Sequence, residues 1–162
     1  MPEPWLRRAV EAALGVALDG VEAYQVSLLV TGDETVQGLN RDYRGLDEVT
    51  DVLSFSATHP SLWEGESGPP YEDQNIWVDG QTPSFVYPPD EPTPLGEVVI
   101  SLPQAQRQAL ERSEPLDREM ALLIVHGVLH LAGHDHAEPA EETAMRAKEK
   151  AALKVIPRLE MP

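Results

Sequence analysis

The chain has 162 residues and a mass of 17.8 kDa, which is the size of one domain and enough for a substantial core. It contains no cysteine, so a disulfide scaffold, a thiolate nucleophile and a cysteine-bearing metal site are excluded. Lys and Arg total 12 against 28 Asp and Glu, a formal net charge of −16 that argues against a broad basic DNA-binding surface.

The first segment, residues 4–18, predicts an amphipathic helix because its apolar side chains recur at helical spacing. Arg7 and Arg8 ahead of an apolar run also resemble the start of a signal peptide, but Glu11 interrupts that run and Gly15 divides it. No stretch approaches the roughly 18 consecutive apolar residues that a membrane span needs. We therefore predict a cytoplasmic protein.

The rest of the chain alternates between strand-like and helix-like segments. Runs rich in Val and Leu predict strands at 25–31, 51–56 and 96–102. Helical spacing predicts further helices at 33–43, 103–112, 117–132 and 139–155. The helix over 117–132 is apolar on most sides, which is typical of a buried central helix, and Gly133 is a natural stop for it.

Residues 57–94 differ in composition from the rest of the chain. They hold 8 of the 15 prolines and seven acidic residues, with no Lys or Arg. Proline at this density excludes a regular helix or a central strand. Five aromatic residues also lie here, so we expect an insertion into a single domain of 1–162 that these rings partly hold in place. The alternative is a solvated loop without a role.

Four of the five histidines fall within the segment HGVLHLAGHDH at 126–136. His126 and His130 are four residues apart on the predicted helix, so both imidazoles lie on one face. Gly133 lets the chain turn sharply, and His136 follows three residues later. Three converging imidazoles with an open fourth position describe a catalytic site for one Zn²⁺ per chain, which nickel or cobalt also suits. The alternative is three ordinary histidines, one of them complementing the helix C-terminus.

The spacing H-x-x-x-H-x-x-G-x-x-H is shared with a large class of zinc proteases, in which a glutamate after the first histidine is the general base. Gly127 stands at that position here and cannot accept a proton. The spacing thus indicates a zinc hydrolase, while Gly127 argues against peptide hydrolysis.

Two further stretches, LNRDYRGLDEVTDVLSF at 39–55 and LGEVVIS at 95–101, complete a resemblance to the YbeY family, bacterial endoribonucleases of ribosomal RNA maturation and ribosome quality control. With Glu119 ahead of the histidines, the resemblance spans about residues 4–155. It implies an α/β (mixed α+β) fold, in which a small, mostly four-stranded sheet packs with about five helices around a zincin-like central metal helix.

The resemblance also implies functional residues and partners. His126, His130 and His136 would bind the zinc, and Arg44 matches the arginine that the family places near the metal. The substrate would be single-stranded RNA, in 16S ribosomal RNA maturation. The partners would be the small ribosomal subunit and its associated proteins, with neither DNA nor a membrane among them.

Three features depart from the family's pattern. The 57–94 insertion is longer than the usual connection and, folded across the cleft, would gate access. A leading strand that many members have is expected to be absent. His134 stands where many members have tyrosine, and this fourth imidazole competes for the metal, although the spacing favours His136.

Zinc held by three histidines lowers the pKa of a water in its fourth position to about 7, so that hydroxide is available to attack a phosphodiester. Arg44 is the candidate catalytic residue beside this zinc-bound water, because its planar guanidinium suits a phosphoryl oxygen. Its alternative role is a salt bridge with Asp47 or Asp51. Asp135 either orients a metal ligand, or caps the last helix or sits in the turn. A 2′-hydroxyl nucleophile also remains open.

The net charge of −16 opposes RNA binding at long range, so a local basic lining is needed, to which Arg41 and Arg44 can contribute. The same charge motivates a second hypothesis, a ribosome-associated assembly factor with a mainly structural metal and little nuclease activity. A third is a zinc hydrolase acting on a peptide or a small molecule.

Overall fold

The computed structural model describes residues 1–18, 24–57, 92–134 and 139–159. Five helices lie in these ranges: α1 (Glu3–Ala17), α2 (Asp33–Arg44), α3 (Leu102–Glu111), α4 (Leu116–Leu131) and α5 (Pro139–Val155). Three strands accompany them: β1 (Tyr24–Thr31), β2 (Val52–Ser56) and β3 (Thr93–Ser101). In this part of the chain, no helix is both long enough and apolar enough to cross a bilayer.

The sheet has the order β1-β3-β2, so that β3 is its central strand. β1 runs parallel to β3, with Thr31 opposite Ser101. β2 runs antiparallel to β3, with Val52 opposite Ile100. The mixed α/β class is therefore confirmed. The prediction of a fourth strand is wrong for the described residues, which contain three strands. That prediction came from the family resemblance, and the described residues contain no further strand-like run.

β3 begins at Thr93, inside the segment that proline content assigned to the insertion. Pro94 thus lies in a central strand, against expectation. It is tolerated because it stands near the beginning of the strand, opposite Gln25, where the pairing with β1 shifts register. Residues 58–91, which include all five aromatic residues of the predicted insertion, lie outside the described residues.

The two faces of β3 pack against different helices, because successive side chains of a strand point in opposite directions. Val98 and Ile100 join the larger core cluster, to which α1, α4 and α5 contribute. Val99 joins a smaller cluster with Leu53 of β2 and Val36 of α2. The sheet therefore separates α2 from α4, which is the helix that carries the paired histidines.

α4 is anchored along β2 and ends as the sequence predicts. Ser54 Oγ donates to the Gly127 carbonyl at 3.2 Å, and Ser56 Oγ donates to the Leu131 carbonyl at 3.3 Å. Gly133 has φ 95°, and its N–H donates to the His130 carbonyl at 3.0 Å. This left-handed glycine lets the chain leave the helix directly after the second histidine.

Candidate metal centre

The imidazoles of His126 and His130 converge on one side of α4. Their Nε2 atoms are 3.1 Å apart, and the rings meet edge to face with centroids 4.6 Å apart. Two nitrogens bound to one tetrahedral zinc at about 2.0–2.1 Å lie about 3.3 Å apart. The pair therefore fits two ligands of one zinc ion after an adjustment of a few tenths of an ångström.

Glu149 of α5 contacts the other nitrogen of the first imidazole. Its Oε1 lies 3.1 Å from His126 Nδ1. A carboxylate accepts the Nδ1–H and so assigns the proton to that nitrogen, which leaves the Nε2 lone pair on the side of His130. Sequence reasoning missed Glu149, because it follows His126 by 23 residues on another helix and no spacing rule joins the two.

The other two histidines of the segment differ in what the structure describes. His134 makes a structural contact, whereas His136 lies outside the described residues. His134 Nε2 lies 3.1 Å from the Ala17 carbonyl, to which it donates, and this hydrogen bond ties the turn after α4 to the end of α1. His136 and Asp135 lie outside the described residues. Within the ranges that the structure describes, no third His, Asp or Glu completes a metal-binding group with the pair.

Gly127 faces the sheet at close range. A Cβ atom there would lie 2.7 Å from Val98 Cγ1 and 3.3 Å from Ser54 Oγ. The glycine lets α4 approach β3 closely, and the position has no room for the glutamate that zinc proteases carry after the first histidine. Packing therefore supplies a physical reason for the missing general base.

Arg44 is the last residue of α2 and is partly buried, and Gly45 ends the helix in a left-handed conformation with φ 72°. The ring of the preceding Tyr43 packs edge-on against Phe55 of β2, with centroids 5.3 Å apart. β2 is an outer strand among the described strands, and α2, which ends in Arg44, packs on the face of the sheet opposite α4.

Two other arginines near these elements pair with acidic side chains. Arg41 Nε lies 3.2 Å from Asp42, and Arg107 Nη2 lies 2.9 Å from Asp33. Arg107 holds the pKa of the partly exposed Asp33 carboxyl below its usual value, assisted by a hydrogen bond from Ser101. These two arginines are thus compensated locally and add little net positive charge to an RNA-binding surface.

Asp51, which precedes β2, has a structural contact. Its Oδ1 accepts the backbone N–H of Val52 at 2.7 Å, and its carbonyl accepts the N–H of Ser101 at 2.9 Å. The first bond is local to the start of β2, and the second ties Asp51 to the end of β3. Asp51 thus has a structural role at the start of β2.

Buried Glu119, two turns before His126 on α4, pairs with Arg112. Arg112 Nη1 lies 3.1 Å and 3.0 Å from the two carboxylate oxygens. Burial raises the pKa of Glu119, and the Arg112 guanidinium opposes that change. The ion pair thus holds an arginine in a defined place near the histidines.

The fold and the paired imidazoles define an α/β domain built around a histidine-bearing central helix. A family model described as Endoribonuclease YbeY matches residues 3–157. Endoribonuclease YbeY of Dehalococcoides mccartyi is 42% identical over 132 residues, which cover 82% of this chain and 69% of that protein. Endoribonuclease YbeY of Brevibacillus brevis is 39% identical over 151 residues, which cover 93% of this chain and 84% of that protein. The chain belongs to the YbeY family.

A solved structure shares the fold. The solution structure of a Thermotoga maritima protein aligns with a TM-score of 0.55 over 94% of this chain and 81% of that chain, at 20% identity. Two sequences this different share their architecture through the packing pattern of the core rather than through individual residues.

Proposed function

We propose that this protein is a zinc-dependent, single-strand-specific endoribonuclease that acts in 16S ribosomal RNA maturation and ribosome quality control in the cytoplasm. The observation that carries the proposal is the convergence of His126 and His130 in a chain of the YbeY family, with Nε2 atoms 3.1 Å apart. Nitrogen ligands paired in this way suit zinc.

In this proposal His126, His130 and His136 hold the zinc, and Glu149 orients His126. Bound zinc would supply an activated water nucleophile and polarise a phosphoryl oxygen of the RNA. Gly127 brings no acid or base to the site, and the contribution that we propose for the chain's own residues is to place the metal ligands and the phosphate. A planar guanidinium at Arg44 holds a phosphoryl oxygen as negative charge develops on it.

Arg44 is expected to matter for cleavage and not for metal binding. Removing one donor that stabilises developing charge typically lowers kcat by about 100- to 1,000-fold. We expect Arg44→Ala to lose RNA cleavage by at least about 100-fold while zinc content stays at one ion per chain. The matched control is Arg41→Ala, one turn earlier and paired with Asp42, for which we expect a change of less than about threefold. Similar activity of both variants would contradict the role of Arg44.

Glu149 is expected to tune zinc affinity. Loss of a carboxylate that accepts the second ring N–H of a metal-bound histidine typically lowers metal affinity by about 10- to 100-fold. We expect this loss for Glu149→Ala, with Glu149→Gln intermediate because an amide oxygen still accepts the His126 Nδ1–H. Competition with a chelator at pH 7 measures the affinity. Glu141→Ala, which removes the same charge from an exposed site on α5, is the control. Equal affinities for the two alanine variants would exclude the positioning role.

The charge balance bears on the partners that the family resemblance implies. A net charge of −16 repels RNA, and Arg41 and Arg107 are already paired with carboxylates. A free RNA strand is therefore a poor long-range target for this surface. We propose that the small ribosomal subunit and its proteins deliver the RNA, so that the binding energy comes largely from contacts outside the cleft.

The test of the proposal uses one short RNA in two states. Protein loaded with one equivalent of zinc is expected to cut the single strand internally and to leave the same strand intact in a duplex. A chelator should stop the reaction, and added zinc should restore it. Zinc-loaded protein that leaves the single strand intact, or cleavage that persists in the chelator, would contradict the proposal.

A further inference from the structure

A cavity of about 300 Å³ lies beside His126, between α4, α5, the start of β2 and the end of α3. Its apolar lining consists of Val52, Leu122, Leu123 and Met145. Charged side chains of both signs complete the wall, among them Arg112 and Glu149. A volume near 300 Å³ is at the lower end of the range for small-ligand pockets, about 300–1,000 Å³. The lining is richer in charged side chains than that of a typical small-ligand pocket, so a ligand that fits it needs polar groups of its own.

Arg112 is held at the cavity with part of its hydrogen-bonding capacity unused. Its Nη1 contacts both oxygens of Glu119, whose side chain is 2% exposed, whereas the arginine side chain is 52% exposed. Its Nε and Nη2 have no hydrogen-bond partner among the described residues. These two groups form one edge of the planar guanidinium, so a buried carboxylate fixes a two-donor fork at the rim of the cavity.

We propose that this cavity binds a guanine base of the RNA substrate, an inference that rests on the proposed function. The Nε and Nη2 donors of Arg112 match O6 and N7 of guanine, the commonest specific contact that arginine makes with a base. The carboxylates of Asp51, Glu142 and Glu149 line the same cavity and can accept from the N1–H and N2–H groups. The apolar lining contacts the face of the ring.

The other occupants fit the lining less well. Adenine has an amino donor where guanine has O6, so it faces the donors of Arg112 with a donor of its own. Pyrimidines have no N7. A phosphate group would meet three carboxylates, whereas the described lining has two arginines, one of which, Arg146, contacts Glu142 at 2.5 Å. The two donors of Arg112 and the neighbouring carboxylates together select a base that has both hydrogen-bond acceptors and hydrogen-bond donors on its edges.

Binding of guanine here has a direct consequence for cleavage. His126 lines the cavity and belongs to the imidazole pair, so a base seated in the cavity brings a neighbouring phosphodiester to the metal face. Arg112 is then a specificity-determining residue, and cuts are expected at one fixed distance from guanine.

Binding is tested first, without catalysis. Guanosine 5′-monophosphate is titrated into the metal-free full-length protein, and the methyl NMR signals of Leu122, Leu123 and Met145 are followed. A good two-bond contact to a base discriminates by roughly 5- to 150-fold. We expect these signals to shift, with at least about tenfold weaker binding of the adenosine, cytidine and uridine monophosphates.

Two lysine variants separate base recognition from folding. Arg112→Lys keeps a cation for Glu119 but has no planar fork, so we expect guanosine monophosphate affinity to fall at least about tenfold. Arg158→Lys is the matched control, because Arg158 also pairs with a buried carboxylate of α4 but lies away from the cavity. Its side chain is 57% exposed and lies 3.0 Å from Asp117, whose side chain is 5% exposed. This variant should bind like the wild type. The guanine site would be overturned if the methyl signals did not shift. It would also be overturned if the wild type bound all four nucleotides equally well and Arg112→Lys did the same.

Cleavage of a random-sequence single-stranded RNA, followed by sequencing of the new ends, is the second readout. We expect guanine to be enriched at one position relative to the cut by the zinc-loaded wild type and not by Arg112→Lys. Cuts without a base preference overturn the guanine site and leave the nuclease proposal intact. Selective guanine binding by a protein that cuts no RNA overturns the nuclease proposal and supports the cavity as a guanine site.

Discussion

Replacement of His126 by alanine is expected to remove zinc and RNA cleavage together. The variant loses one of two imidazoles whose Nε2 atoms are 3.1 Å apart, and the Glu149 contact to that ring is lost with it. Without the metal, the pKa of the attacking water would rise toward its bulk value, so that hydroxide would be scarce at neutral pH. We expect zinc content to fall from one ion per chain to below about one tenth, and cleavage to fall at least about 1,000-fold.

His134→Ala is the matched control, because it removes an imidazole from the same segment. His134 donates to the Ala17 carbonyl, so its loss costs about 0.5–1.5 kcal/mol of stability and leaves zinc binding and cleavage unchanged. A His126→Ala variant that is folded and still holds one zinc per chain would contradict the predicted site. Equal loss of zinc in the His134 and His126 variants would show that His134 is a ligand.

A folded His130→Ala variant, tested in cells, distinguishes the nuclease proposal from the second hypothesis, an assembly factor with a structural metal. If cleavage is the function, this variant fails to support 16S ribosomal RNA maturation. If it still supports maturation, the metal site serves the structure alone. The acidic charge of −16 favours such a protein-facing role, and this experiment decides between the two.

Replacement of Gly96 by alanine is expected to have the largest effect on stability. Gly96 lies in the central strand with φ 139°, and a Cβ atom there would be 2.1 Å from the Phe55 carbonyl oxygen and 3.0 Å from Leu131 Cδ2. Strained backbone costs about 1–3 kcal/mol, and overpacking costs about 1–3 kcal/mol more. We expect urea unfolding of metal-free protein to show a loss of at least about 3 kcal/mol.

Gly15→Ala is expected to change stability in the opposite direction. Gly15 lies exposed in α1, and a Cβ atom there has no atom within 4 Å among the described residues. Alanine restricts the unfolded chain at a helical position, so the free energy of unfolding should rise by about 0.5–1 kcal/mol. A Gly96→Ala variant within about 1 kcal/mol of the wild type would show that β2 and β3 can separate to admit the methyl group.

Local sequence patterns predicted most of the secondary structure because they reflect local physics. α5 spans Pro139–Val155 as predicted, and α4 ends one residue before the predicted boundary, where Gly133 adopts φ 95°. Helical periodicity and glycine conformations are properties of neighbouring residues. The start of β3 was missed because pairing with β1 overrides the local preference of Pro94, and that pairing joins segments about 70 residues apart in the chain.

The sequence by itself determined that His126 and His130 share a face of one helix, since four residues make about one turn. The tertiary structure decided what surrounds them. It places Glu149 of α5 at 3.1 Å from His126 Nδ1, seats Gly127 against Val98, and fixes Arg112 on the buried carboxylate of Glu119. Contacts between separate elements depend on how helices pack on the sheet, and no spacing along a single chain encodes that geometry.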